Sequence, residues 1–225
     1  MRKKITFLDI FSGIGGFRKA LELLSKDNDF DIECLGFSEI DKYALESYTA
    51  NFDIKREISL GDLEQIFDHK NILKKINNVD ILFGGFPCQS YSMMGNQKGF
   101  NDDRGGLIFS LIRLINLINP KYFILENVRN LFFHNSGKTY KEIKLHLEFM
   151  GYKIQETFLD TSEFGIPQKR KRLFIFGYYD HDPIENIDFN NDKISMHFNK
   201  VQERSLCTYD NVLDNLVETN QVEDN

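Results

Sequence analysis

The sequence predicts an α/β fold built on a doubly wound, mostly parallel sheet, and three observations lead there. Short runs rich in β-forming apolar residues alternate with amphipathic stretches of helical period along most of the chain. Runs such as Val79–Phe83 and Tyr122–Glu126 are apolar almost without interruption, the pattern of strands buried on both faces. Glycine-rich turns leave the first and fourth of these runs, and in such sheets ligands sit at the carboxyl ends of the strands.

The elements follow in order. Ile5–Phe11 reads as a first strand ending in a glycine turn. Phe17–Ser25 follows as a helix, with Phe17, Ala20, Leu21 and Leu24 as its apolar stripe. Ile32–Ser38 is a second strand and Tyr43–Phe52 a second helix; a weaker strand lies near Glu57–Leu60. Val79–Phe83 is entered by Asn77-Asn78 and left by Gly84-Gly85. Leu107–Ile118 is a strongly apolar helix stopped by Asn119-Pro120, and Tyr122–Glu126 is the next strand. Tyr140–Met150 is a helix ended by Gly151, before strands at Lys153–Asp160 and Leu173–Tyr178. We therefore expect one domain over residues 1–180. Residues 181–225, rich in Asn and Asp and then acidic, read as a partly ordered tail with one helix near Tyr209–Val217.

Hydrophobic residues make up 41% of the chain and charged residues 28%, an ordinary soluble balance with no apolar run long enough for a membrane span. The start, MRKKITFLDIF, reads as a basic cap on a buried strand and not as a secretory signal, so a cytoplasmic protein without membrane attachment is expected. Cys34, Cys88 and Cys207 are far apart and odd in number, which argues against a disulfide framework and against a metal site. The net charge of −6 argues against self-sufficient DNA binding, although Lys169-Arg170-Lys171-Arg172 is a local basic patch.

Two loops carry the chemistry. Asp9–Phe17 (DIFSGIGGF) joins the first strand to the first helix, where glycines allow close backbone approach and the helix start favours a negative group. It is not the dinucleotide fingerprint, because Arg18 stands where the last glycine would be. Glu39, at the end of the second strand, could accept both ribose hydroxyls of a nucleoside ligand, and Asp62 an adenine amino group. Taken alone, this loop reads equally well as a tight glycine turn beside incidental acids.

Gly84–Ser92 (GGFPCQSYS) follows the fourth strand. A lone cysteine is most often a buried hydrophobe, but Cys88 sits on a glycine- and proline-shaped loop at the ligand edge of the sheet. Pro87 fixes the backbone before it. No histidine lies at the strand ends to serve as base, so substrate activation must assist the thiolate. Glu126 ends the fifth strand and is a candidate proton donor; a helix N-cap or a solvated acid is the plainer reading.

These pieces, in this order, resemble the bacterial cytosine-C5 DNA methyltransferases over about Ile5–Tyr178. The resemblance is carried by Asp9–Phe17, Glu39–Lys42 (EIDK), Gly61-Asp62, Gly85–Ser92, Lys98–Leu107 (KGFNDDRGGL), Glu126–Val128 (ENV) and Gly165–Arg172 (GIPQKRKR). It implies a Rossmann-like sheet of the S-adenosylmethionine-dependent methyltransferase type. The implied cofactor is S-adenosyl-L-methionine, held by Phe11, Gly13, Gly15, Glu39, Ile40, Asp62, Pro87 and Leu107. Cys88 would attack cytosine C6 to form a covalent adduct, with Gln89 and Ser92 in the substrate loop. Glu126 would hold the cytosine N3 and amino group, and Arg170 and Arg172 would contact the base and the flanking phosphate. The substrate would be double-stranded DNA with the target base flipped out, in a restriction–modification setting. A transfer-RNA cytosine methyltransferase and a cofactor-binding fragment are the competing readings.

The sequence departs from the pattern at Ile40, where the family commonly has a bulky aromatic. It also lacks room for the recognition region and returning helix, since 45 residues follow Asp180. A second, basic subunit carrying those parts is therefore expected, with this chain inactive alone.

Overall fold

The computed structural model describes residues 2–87 and 106–179. In chain order the regular elements are β1 (Lys3–Ile10), α1 (Gly16–Asp27), β2 (Phe30–Ser38), α2 (Lys42–Asn51), β3 (Ile58–Ser59), α3 (Lys70–Leu73) and β4 (Ile81–Gly85). They continue with α4 (Leu107–Ile118), β5 (Tyr122–Val128), α5 (Asn130–Phe133), α6 (Lys138–Phe149), β6 (Tyr152–Asp160) and β7 (Lys171–Tyr179). The strands form one seven-stranded sheet in the order β3-β2-β1-β4-β5-β7-β6.

The pairs β1–β2, β1–β4, β2–β3 and β4–β5 are all parallel. Strand β7 runs against its neighbours. Its last residues, Gly177 and Tyr179, meet Phe123 and Tyr152 at the beginnings of β5 and β6. At the other end, Thr161 N–H donates to the Arg170 carbonyl. Sheet order reverses at β1, with β2 on one side and β4 on the other, and this is where a doubly wound sheet opens a crevice.

By internal contacts the chain divides into two units, Met1–Glu156 with Leu173–Asp182, and Thr157–Arg172 with Pro183–Asn225. The first holds the core. Phe7, Leu8, Asp9 and Ile10 of β1 are all buried, as an inner parallel strand requires. One cluster gathers Phe7, Leu21 and Phe83 with Phe17 and Ile32 at its margin; another gathers Phe37, Tyr48 and Phe52. Helix α4 buries Ile108, Leu111, Ile112, Leu114 and Ile115, and it presses on the sheet so closely that a Cβ at Gly84 would lie 3.2 Å from Leu111 and 3.1 Å from Leu125. In the second unit the described residues form a short turn. Asp160 accepts from the backbone N–H groups of Ser162 and Arg170, at 3.1 and 3.2 Å.

Expected stops hold where the backbone chemistry demands them. Helix α4 ends at Asn119 in the left-handed region (φ 53°), ahead of Pro120, and α6 gives way to Gly151 (φ 91°). The weak strand near Glu57–Leu60 shrinks to the two residues of β3. One expectation holds only in part. Of the apolar stripe read on α1, Leu21 is buried and Phe17 packs against the same cluster, but Ala20 and Leu24 are exposed and Arg18 is buried beside Leu21. A charge turns inward there because an acid waits to receive it, as described below. Among the described residues no helix is long and apolar enough to cross a membrane, and no group of metal-ligating side chains forms.

The approach of β7 to β5 yields a stability test. A Cβ on Gly177 would stand 2.0 Å from the Phe123 ring, which is itself fully buried. Gly177→Ala is expected to lower unfolding free energy by about 1–3 kcal/mol, measured by urea titration, with the unfolding slope unchanged.

Candidate active site

The glycine loop is built by close packing against α2. Phe11 follows β1 in the left-handed region (φ 55°), and Gly13 and Gly15 also have positive φ. Gly15 could be nothing else: at φ 90° a Cβ would meet the Phe52 ring at 2.2 Å and Tyr48 at 3.1 Å. At Gly13, by contrast, an added Cβ would meet nothing within 4 Å, so the loop's outer side is open.

Backbone bonds lock this loop to the end of β2. Ser12 N–H donates to the Ser38 carbonyl at 2.9 Å, and Gly13 N–H to Glu39 Oε2 at 2.8 Å. The other Glu39 oxygen accepts from the N–H groups of Ile40 and Asp41, each at 2.8 Å. The Asp41 side chain in turn caps α2 through Ala44 N–H. The Ser38 hydroxyl donates to the Gly61 carbonyl at 2.7 Å, and Leu60 N–H to the Phe37 carbonyl at 2.8 Å. Asp62 and Glu39 thus each stand one residue beyond a bonded pair. Asp62 accepts from Glu64 N–H and the Gln65 amide. Ile40 is 70% exposed, so no packing holds it at the place the family gives a large aromatic ring.

The second loop starts at β4. Gly85 pairs in register with Glu126, and a Cβ on Gly85 would lie 3.8 Å from Glu126 Oε2 and 3.9 Å from the Phe11 carbonyl oxygen. The space between Phe11, Glu126 and the end of β4 is therefore what a side chain at Gly85 would fill. The buried Asn127 donates from its amide to the Phe86 carbonyl at 2.7 Å, while its oxygen accepts from Val128 N–H. The base of the proline–cysteine loop is fixed this way one residue before Pro87. Pro87 is exposed; Leu107 opens α4 and is half-buried. Cys88, Gln89 and Ser92 lie outside the described residues. Arg170 and Arg172 belong to the second unit, where Arg170 is exposed and Arg172 donates to the Lys171 carbonyl.

Beneath the glycine loop lies a polar cluster that motif reading missed. Arg18 of α1 forks onto Glu57, with Nη2 at 2.8 Å from Oε1 and Nη1 at 2.9 Å from Oε2. Nη1 also donates to the Tyr48 hydroxyl at 3.2 Å. Burial works against the Arg18 charge, but the bonds to Tyr48 and Glu57 outweigh it and hold its pKa above the ordinary value. Asp9 is fully buried and, among the described residues, neither carboxyl oxygen has a hydrogen-bond partner, although Tyr48 lies near enough to favour its charge somewhat. Burial dominates and pushes Asp9 up to about 7; Arg18 pulls it down, while Glu57 and Glu39 push it further up. Burial, with Glu57 beside it, likewise raises the half-buried, unoxidised Cys34 thiol. The available signal was an Asp inside an otherwise apolar strand and an Arg three residues before Leu21, on its face of the helix.

The description of C-5 cytosine-specific DNA methylases matches residues 5–225. The chain belongs to that family. S-adenosylmethionine is the family's methyl donor. The type II methyltransferase M.BanI of Aneurinibacillus aneurinilyticus is 39% identical over 203 residues, covering 90% of this chain and 45% of the relative. M.HhaI of Haemophilus parahaemolyticus is 38% identical over 185 residues, covering 82% and 52%. The chain thus spans about half the length of the curated relatives it matches. The solved structure of the S. pombe Dnmt2 methyltransferase has the same fold, with a TM-score of 0.62 at 23% identity over 82% of this chain and 54% of that one.

The residues fit the family's donor. An open glycine floor, an aromatic at Phe11 and two acids at Glu39 and Asp62 suit a nucleoside, and the buried Ser12 Oγ has no partner among the described residues.

The raised Asp9 pKa sets a pH dependence. The folded chain holds this proton between about pH 4 and pH 7, where the unfolded chain has lost it, so stability falls as pH rises through that window. The groups facing Asp9 are Arg18 from α1, Tyr48 from α2, Glu57, Glu39 and Cys34. The loss is expected to be on the order of 3–4 kcal/mol. Urea titrations at pH 5 and 7.5 should show a decline in the wild-type chain that Asp9→Asn removes.

Proposed function

We propose that this chain supplies the cofactor-binding and base-activating part of a DNA cytosine-C5 methyltransferase of restriction–modification type. The observation that carries the reading is the register of Gly85 with Glu126 beside Phe11, three residues before Cys88. The start of the proline–cysteine loop at Gly85, the Glu126 carboxyl group and the Phe11 carbonyl lie together at the carboxyl ends of neighbouring parallel strands, inside a chain of the cytosine-C5 family.

Cytosine C5 is a poor nucleophile because the ring is aromatic and electron-poor. In the proposed mechanism Cys88 thiolate adds to C6 while Glu126 supports a proton at N3, which turns C5 into an enamine carbon. S-adenosylmethionine, held by Phe11, Gly13, Gly15, Glu39, Ile40, Asp62, Pro87 and Leu107, would supply an electrophilic methyl group. Loss of the C5 proton and expulsion of the thiolate restore the ring. Arg170 and Arg172 are assigned to the base and its phosphate, and Gln89 and Ser92 to the nucleophile loop. The base has to leave the duplex, since C6 cannot be reached inside the stack. Residues 1–180 would form this catalytic domain and 181–225 the way to the recognition region.

Cys88→Ala is expected to abolish methyl transfer, and Glu126→Gln to lower its rate by about a hundredfold or more while cofactor affinity stays unchanged. Labelled methyl incorporation and calorimetry measure the two. Turnover by the Cys88 variant would sink the nucleophile assignment.

We further propose that a second, basic polypeptide carries target recognition. The net charge of −6 is unsuited to holding a phosphate backbone, and Leu23 and Leu24 on α1 and Ile14 just before it are 52%, 44% and 68% exposed. Purified chain is expected to methylate DNA only when mixed with such a partner, and transfer RNA not at all. Sequence-specific DNA methylation by the 225-residue chain alone would show the partner to be unnecessary.

A further inference from the structure

Three elements bear the residues that would meet the cofactor, and one side chain joins all three. The glycine loop leads into α1, Glu39 leads into α2, and Asp62 follows β3. Arg18 stands one turn into α1 and is 8% exposed. Its fork closes on Glu57, the residue before β3, whose side chain is 6% exposed. Its guanidinium lies 4.3 Å over the Phe52 ring and 5.4 Å over Tyr48, both from the α2 segment, and Nε approaches Glu22 at 3.5 Å. The same Phe52 ring is the one that leaves room only for glycine at position 15.

Beyond this fork, the β3 side is held by the hydrogen bonds at Leu60 and Gly61 and by the buried Leu60 and Leu63, none of which fixes the angle of the segment as a two-bond fork does. Strand β3 pairs with β2 through two residues, Gly36 with Ile58 and Phe37 with Ser59. Stability alone does not account for the arrangement either. A buried ion pair can often be exchanged for apolar side chains at no loss of stability, because desolvation offsets most of its attraction. What apolar contacts lack is direction: a planar fork with two bonds to one carboxylate fixes both distance and angle.

We propose that Arg18 is a positioning residue for the cofactor cleft, its fork on Glu57 setting the spacing of the glycine loop from Glu39 and Asp62. This rests on the cofactor reading given above. Lysine at position 18 could keep the charge but neither the fork nor the stacking on Phe52.

The test uses the 225-residue chain and S-adenosylhomocysteine, the demethylated cofactor, in calorimetry. Arg18→Lys is expected to weaken binding at least about tenfold. Glu57→Gln keeps one acceptor for the fork and should fall between the wild type and Glu57→Ala. Ile143→Val, a core change in α6 far along the chain, serves as the control for general destabilisation and should leave affinity within about twofold. Hydrogen exchange without ligand gives the second readout. The amides of Gly13 and Leu60, which bond to Glu39 and to Phe37, should exchange faster in Arg18→Lys, while those of β5 do not change. Wild-type affinity in Arg18→Lys, or equal losses in Arg18→Lys and Ile143→Val, would overturn the proposal. If the wild-type chain binds no S-adenosylhomocysteine, the cofactor reading falls, and unchanged exchange at Gly13 and Leu60 would by itself refute the spacing role.

Discussion

The parallel pairing of β1 with strands on both sides is the constraint on which the remaining structure depends. Parallel neighbours force a crossover on each side, so the connections leaving β1, β2 and β4 emerge at one edge of the sheet and diverge. The glycine loop, Glu39 and the start of the proline–cysteine loop share that edge for this reason and not because they attract one another. The loops are then held at their bases by hydrogen bonds, from the Ser12 N–H to the Ser38 carbonyl and from the Asn127 side-chain amide to the Phe86 carbonyl. Chemistry is left to the residues just beyond each anchor.

The same strand end concentrates electrostatic cost. Asp9 is buried beside one arginine whose charge is already claimed by Glu57, so the local balance keeps the acid neutral well above the usual carboxylate range, up to about pH 7. Core strands ordinarily exclude such groups because an unpaired polar atom in the interior is expensive. Their presence here, directly under the loop, matches the general tendency of strained or costly groups to gather at functional sites.

Most of the architecture was legible because it rests on local signals. Continuous apolar runs gave the inner strands, and Asn119-Pro120 and Gly151 gave the helix ends within a residue or two. Strand β3 was weak in sequence and is short in space, since two backbone pairs need little side-chain preference. The face of α1 was read only in part, Phe17 and Leu21 reaching the core while Ala20 and Leu24 do not, because periodicity counts apolar residues whereas Arg18 is drawn inward by a partner 39 residues away. Such a partner leaves no periodic trace. Glu39, Asp62 and Glu126 were legible as acids at strand ends, but their bonds to Gly13 and Gln65 and the register beside Gly85 follow from tertiary structure alone.

The brevity of β3 also shapes the outer margin of the sheet. It covers β2 only at Gly36 and Phe37, so among the described residues the stretch Phe30–Leu35 presents backbone groups that no neighbouring strand on that side satisfies. Such a margin invites another chain to add on as a strand. Here it is studded with charge: Asp31 and Glu33 are exposed, Arg2 pairs with Asp29 at 2.9 Å, and Lys4 pairs with Glu33. An incoming strand would have to strip water from these groups and disrupt their pairs. The charge along this margin thus disfavours the docking of a further strand there, so the same residues that keep the edge wet also keep it unpaired.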